Sequence, residues 1–156
     1  MHDKLFTEVE RYRTMQKRII LALLVGSICG AIIGAAGFAL AERMFGRGIG
    51  ILGNSPSLAA FIGAVYMGTC GGVLGAVIGI LNLNVARSGV FGLACGVLLV
   101  IAEIWRSESK YFYEGGYFDR QRFLSDIILW MTLVLGLGLV AVAVAVLQRK
   151  RLGQGK

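Results

Sequence analysis

The chain has 156 residues, of which 56% are hydrophobic and only 16% are charged, and its formal net charge is +7. Because soluble domains carry about 25% charged residues, this composition excludes an ordinary water-soluble globule, and the mean hydropathy of +0.73 excludes disorder. It predicts an all-α integral membrane protein, whose helices satisfy their own backbone hydrogen bonds inside a bilayer.

Residues 1–18 precede the first apolar run and are predicted to form a short amphipathic helix in the cytoplasm. Leu5, Val9, Tyr12 and Met15 recur at helical spacing, with charged residues between them. This pattern fits a helix that lies on the lipid surface, and it also fits a helix that docks against a partner protein.

Four apolar segments follow, each close to the length of about 20 residues that spans a hydrocarbon core of about 30 Å. They form a transmembrane domain over residues 19–147, with spans at about 19–41, 58–83, 88–105 and 123–147. Ser55 and Pro56 are typical of the N-cap and first position of the second helix. The short turn from Asn82 to Arg87 predicts that the second and third helices pack as antiparallel neighbours.

The distribution of positive residues predicts the orientation. Ten of the 16 Lys and Arg residues lie before residue 19, at Arg87 or after residue 148, where only three acids join them. The other six cations lie on the opposite side, together with six acids. Because Lys and Arg concentrate in cytoplasmic loops, we expect both termini in the cytoplasm, and we expect a bacterial inner membrane. Residues 148–156 form a basic tail that contacts anionic lipid.

Glycine at four-residue spacing is the most specific pattern in a chain that contains 23 glycines. Residues four apart share one helix face, so each row makes a groove in which a second backbone can pack closely. We expect a glycine zipper that either packs within this chain or receives a helix of a partner or of a second copy. The helix-packing candidates are Gly26, Gly30, Gly34, Gly68, Gly71, Gly72, Gly75, Gly79, Gly92 and Gly96.

Two carboxylates lie at the outer ends of helices, and none lies near a helix centre. Glu103 is three residues from Arg106, and Asp126 is four residues from Arg122. These spacings permit local ion pairs, and the same two carboxylates are the candidates for an ion site at the outer mouth.

Catalytic and metal-binding motifs are missing from the sequence. The cysteines lie inside apolar runs without a C-x-x-C pair, and the single histidine is at the N-terminus. There is no H-E-x-x-H, G-x-S-x-G or phosphate-binding loop. We therefore expect no enzymatic activity, no cofactor and no metal.

Aromatic residues crowd the outer loop between the third and fourth helices, where they alternate with charged residues. Aromatic side chains favour the membrane interface, and they are also common at the centres of protein interfaces. The loop is therefore either an aromatic belt or a docking surface. The docking candidates are Trp105, Tyr111, Phe112, Tyr113, Tyr117 and Phe118.

The helices carry many glycine-lined faces and no charged residue near their centres. This pattern favours a non-catalytic accessory or structural subunit of a larger membrane complex. Its expected partners are membrane lipids and other membrane protein subunits. The first alternative is a homo-oligomeric pore or holin-like channel, although Ser27, Thr69 and Asn82 offer few polar groups for a pore lining. The second is a transporter of small lipids or other small molecules. Because topology explains the basic residues, we expect no nucleic-acid partner.

Overall fold

The computed structural model describes residues 2–45, 55–107 and 120–153, and every regular element within these ranges is an α-helix. The helices are α1 (His2–Phe45), α2 (Pro56–Leu81), α3 (Val85–Ser107) and α4 (Arg120–Gly153). Each contains a stretch long and apolar enough to cross a membrane: Tyr12–Met44, Pro56–Leu81, Val85–Trp105 and Asp126–Lys150. The prediction of an all-helical chain with four such helices is confirmed.

Helices α1 and α4 extend beyond the predicted spans by more than one turn. Helix α1 runs without interruption from the predicted amphipathic segment into the first apolar segment. Its 44 residues correspond to about 66 Å at 1.5 Å per residue, roughly twice the thickness of the hydrocarbon core. Helix α4 continues to Gly153, so the first part of the predicted basic tail is helical.

The start of α2 follows the predicted local pattern. Ser55 is extended, and its side chain accepts a hydrogen bond from the backbone N–H of Leu58 at 3.5 Å. Pro56 follows as the first helical residue, where its missing N–H has no cost. This N-cap is confirmed in the structure.

The turn between α2 and α3 is shorter than predicted, because Arg87 already belongs to α3. Asn82 adopts the left-handed conformation (φ 50°) and donates its backbone N–H to the carbonyl of Ile78 at 2.9 Å, which closes α2. The side chain of Asn84 accepts a hydrogen bond from the N–H of Arg87 at 2.8 Å and caps α3. One asparagine, Asn82, thus ends α2, and a second, Asn84, begins α3.

The helices form a compact trio with one peripheral member. Helices α1 and α2 make the most extensive contact, and α4 packs against both of them. The core lies where these three meet, and its largest fully buried apolar side chains are Met67, Ile78, Leu137, Val140 and Val144. Helix α3 contributes the fully buried Ser88, but its apolar side chains at the core, such as Phe91 and Cys95, are only partly buried.

The prediction that the second and third helices pack as neighbours is wrong. Helix α3 packs against α4 and makes only marginal contact with α1 and α2. The turn at residues 82–84 keeps the adjoining ends of α2 and α3 together, but it does not set the direction in which α3 continues. Gly92 and Gly96 allow α3 to approach α4 closely, and this contact decides its place.

The contacts also define the two ends of the bundle. Gly26 faces Gly71 and Gly34 faces Gly63, so α1 and α2 are antiparallel. Gly79 of α2 approaches both Ile19 and Gln148. Residues near 18, the turn at 82–84 and residues near 148 therefore lie at one end, here called the termini end. The opposite end, here called the loop end, carries residues near 45, 55, 107 and 120.

Candidate functional site

Glycine brings the backbones of α1 and α2 into direct contact. A Cβ atom at Gly26 would collide with the carbonyl oxygen of Gly71, and a Cβ at Gly71 would collide with the carbonyl oxygen of Gly26. Gly34 and Gly63 show the same reciprocal relationship. Because each obstacle is backbone, it cannot rotate away, and only glycine fits at these four positions.

The other predicted packing glycines of α1 and α2 also face the neighbouring helix. A Cβ at Gly30 or Gly75 would meet a backbone carbonyl oxygen. The contact at Gly72 is mainly with a serine hydroxyl, and contacts at Gly68 and Gly79 begin at 3.2 to 3.3 Å. The helices are therefore packed most tightly at Gly30 and Gly75, and less tightly at Gly68, Gly72 and Gly79.

The glycines of α3 face α4. A Cβ at Gly92 would lie 2.5 Å from the carbonyl oxygen of Leu137, and a Cβ at Gly96 would lie 2.6 Å from Cα of Val134. All ten predicted packing glycines thus face another helix of the same chain. Further interhelical glycines, which the four-residue rows do not contain, are Gly37, Gly63, Gly89, Gly136 and Gly138.

The predicted aromatic docking surface falls mostly on undescribed residues. Trp105, near the end of α3, has 79% of its surface exposed. Its five companions, Tyr111, Phe112, Tyr113, Tyr117 and Phe118, lie outside the described residues. On the adjoining part of α4, the rings of Phe123 and Trp130 meet edge to face at 6.3 Å.

The two outer carboxylates are partly buried at the loop end. Glu103 and Asp126 both have interaction partners. Among the residues that the structure describes, no three His, Cys, Asp or Glu side chains come close enough together to hold a metal ion. The ion site at Glu103 and Asp126 therefore stays a prediction.

Buried polar atoms without hydrogen-bond partners mark places that the sequence did not reveal. They are Nε of Arg18, Oε1 of Glu42, Oγ of Ser88 and Nε2 of Gln148. A buried polar group without a hydrogen bond destabilises the fold by about 1–3 kcal/mol. Each of these four atoms is therefore a candidate to bind a ligand, a lipid or a partner protein. Nothing in the sequence distinguishes these residues, because side chains at the ends of spans ordinarily reach water.

Glu42 is a buried carboxylate at the loop end, with only 5% of its surface exposed. It lies one turn after Phe38, whose ring contacts α2 at Gly63. The same face of α1 therefore points toward the first turn of α2, which contains no acidic residue of its own. The positive end of the α2 dipole favours an acid at this position.

Gln148 is the buried amide of the termini end, with only 7% of its surface exposed. It shares a face of α4 with Ala141 and Val144, which are fully buried. A Cβ at Gly79 would lie 3.4 Å from Nε2 of Gln148 and 3.3 Å from Cα of Ile19. The amide therefore reaches the junction of α1, α2 and α4.

Comparison of the chain with protein-family models, with curated proteins and with solved structures found no match. The four long apolar helices are compatible with a multi-pass membrane protein. Three of them enclose an apolar core, and the fourth is attached at its side.

Proposed function

We propose that this protein is a non-catalytic accessory subunit of a larger membrane complex, and that α3 binds a transmembrane helix of a neighbouring subunit. The observation that carries the proposal is that α3 packs on α4 and makes only marginal contact with α1 and α2. Its glycine face is turned toward α4, and large apolar side chains continue along its outward face. More than half of the surface is exposed at Val90, Leu98, Ile101 and Trp105.

Exposed apolar side chains alone would fit lipid, and α1, α2 and α4 carry them too. What distinguishes α3 is its single helical neighbour. Its apolar stretch is 17% buried, less than that of α2 at 44% or α4 at 39%, and α1, which is 22% buried, differs from α3 in packing against two helices. Because lipid tails provide no hydrophobic drive, helices in a membrane hold together through close contact. A second neighbour on the outward face would give α3 the contact that the bundle does not provide.

Glycine-zipper packing between α1 and α2 belongs to the same proposal and is supported by the reciprocal contacts at Gly26, Gly34, Gly63 and Gly71. These contacts lie within the chain, so they contribute rigidity to the trio of α1, α2 and α4. The partner surface is therefore assigned to α3 instead of to a glycine groove.

The N-terminal part of α1 is proposed as a second contact region in the cytoplasm. Val9, Tyr12 and Met15 are exposed there, at amphipathic spacing. Helix α1 is unbroken and longer than a bilayer is thick, which favours projection from the membrane over lying flat on its surface. With both termini cytoplasmic in a bacterial inner membrane, the aromatic outer loop would meet partners on the other side.

Site-specific photo-crosslinking in intact cells tests the α3 surface. A crosslinking amino acid at Leu98 of α3 is compared with the same amino acid at Val73 of α2. The two side chains are apolar, lie within their spans and are equally exposed, at 65% and 63%. We expect Leu98 to yield one adduct with a different protein and Val73 to yield none.

Native mass spectrometry after gentle extraction supplies the stoichiometry. A complex of different chains in fixed ratio, including the crosslinked protein, is the expected result. A lone monomer, or crosslinks from Leu98 to lipid only, would contradict the subunit role. A ring of identical copies would favour the alternative of a homo-oligomeric pore. Ion flux through liposomes that contain the pure protein would then test that alternative.

A further inference from the structure

A half-buried Arg18 on α1 and a buried Gln148 on α4 both lie at the termini end. Nε2 of Gln148 and Nε of Arg18 are buried atoms without a hydrogen-bond partner among the described residues. Gln148 reaches the junction of α1, α2 and α4 beside Gly79. Arg18 lies one turn before Ala22, whose backbone carbonyl faces Gly75. Arg18 therefore continues the α1 face that contacts α2, toward the side where Gln148 enters from α4.

Positive charge surrounds this junction. Among the described side chains of the termini end, Glu10 is the one acid, and it is exposed. The cations described there are Arg13, Lys17, Arg18, Arg87, Arg149 and Lys150. Such a surface attracts an anion, and basic pockets between transmembrane helices are known to bind anionic lipid headgroups.

We infer that the phosphate of an anionic phospholipid binds between α1, α2 and α4, where the Arg18 guanidinium and the Gln148 amide donate hydrogen bonds to it. Phosphate oxygens supply the acceptors that these N–H groups lack, and a bond from a guanidinium to phosphate is charge-assisted. Gly79 has no side chain, so the Gln148 amide can lie close to the α2 backbone.

Depth and charge both favour a lipid. Arg18 directly precedes the uncharged part of α1, and Gln148 directly follows the apolar run of α4. Both residues therefore lie at the boundary of the hydrocarbon core, where lipid phosphates are found. A headgroup that carries its own cation, such as choline, is disfavoured by the surrounding Lys and Arg. This site is independent of the proposed subunit role.

Lipid titration of the delipidated protein tests the site. Phosphatidylglycerol is the probe, phosphatidylcholine is the comparison lipid, and native mass spectrometry counts the lipids retained per chain. We expect one phosphatidylglycerol to be retained at about 1 M NaCl, where the screening length is about 3 Å and diffuse surface attraction is lost. Phosphatidylcholine is expected to wash away.

A pair of adjacent charge-removing variants separates the site from general attraction. Arg18→Gln removes the half-buried cation, and Lys17→Gln removes an exposed one. We expect Arg18→Gln to weaken phosphatidylglycerol binding about tenfold, the effect of losing one charge-assisted hydrogen bond, and Lys17→Gln to change it by less than about twofold. Equal weakening by both variants, or complete release of the lipid at high salt, would overturn the site.

The variant Gln148→Leu keeps the test decisive if Arg18→Gln does not fold. An apolar side chain removes an unsatisfied amide, so the lipid-free protein should unfold at a higher temperature. The same variant should lose the thermal stabilisation that phosphatidylglycerol gives the unaltered protein. A lower unfolding temperature without lipid would show that Gln148 has a structural partner, and the site would be rejected.

Inorganic phosphate separates the two sources of the ligand. We expect it to leave bound phosphatidylglycerol in place at millimolar concentration, because the acyl chains add apolar contact with the helices. Displacement of the lipid by inorganic phosphate would overturn the assignment to a lipid and identify an ion site instead.

Discussion

Gly26 and Gly71 face each other across the contact of α1 and α2, and a Cβ on either residue would collide with the carbonyl oxygen of the other. The two helices therefore approach to the limit set by their backbones. A contact this close leaves no room for a side chain, so adding one should measurably destabilise the protein.

The variant Gly26→Ala is expected to lower the free energy of unfolding by about 1–3 kcal/mol, because α1 and α2 must separate to admit the methyl group. Thermal unfolding in detergent provides the measurement. Gly89→Ala is the matched control, since a Cβ there meets only a methyl group of Val142, at 3.1 Å. The control should stay within about 1 kcal/mol of the unaltered protein. Equal effects of the two variants would contradict the close backbone contact.

Gly37 and Thr132 offer a test of the contact between α1 and α4. A Cβ at Gly37 would collide with the side chain of Thr132, not with backbone. Gly37→Ala should therefore destabilise the protein, and Thr132→Ala, which removes two of the three crowded atoms, should recover part of the loss. A double-mutant cycle is expected to give a coupling energy of about 0.5–3 kcal/mol. Strict additivity of the two variants would show that the contact is absent.

Replacing the buried carboxylate of Glu42 is expected to stabilise the protein, unlike the glycine substitutions. The dipole of α2 offsets only part of the cost of burying Oε1 of Glu42 without a hydrogen-bond partner, so Glu42→Met should raise the free energy of unfolding by about 1–2 kcal/mol. Arg43→Met, at the exposed neighbouring position, is the control and should change it by less than about 0.5 kcal/mol. A loss of stability in Glu42→Met would reveal a cation or another partner for this carboxylate.

Single cysteines test which positions share a side of the membrane. In a background without the native cysteines, Arg87→Cys and Lys150→Cys should react with an impermeant thiol reagent only after the cells are opened. Arg43→Cys should react in intact cells, because it lies at the loop end. If Arg43→Cys and Arg87→Cys reacted from the same side, the arrangement of the ends would be refuted.

The membrane-spanning helices and their local ends could be predicted because both depend on nearby residues. Four apolar runs of sufficient length are visible in the sequence, and Ser55 with Pro56 marks the start of α2 through groups within one turn. No comparable local signal separates the predicted amphipathic segment from the first apolar segment. Helix α1 runs through both without interruption.

The partner of α3 and the buried polar groups could not be predicted in the same way. A short turn suggested that α3 packs on α2, but close approach at Gly92 and Gly96 attaches it to α4. Gln148 was assigned to a basic tail, yet the continuation of α4 places it on the buried face with Val144. Which of several faces is buried depends on the neighbouring helices.

Hydropathy and glycine spacing, which are properties of consecutive residues, by themselves determined that this protein has four membrane-length helices and which residues share a face. Only the tertiary structure decided that Gly26 meets Gly71, that α4 lies between α3 and the others, and that Glu42 and Gln148 are buried. The physical reason is that a helix face is defined by local periodicity, whereas its occupant is chosen by steric fit among all the helices at once.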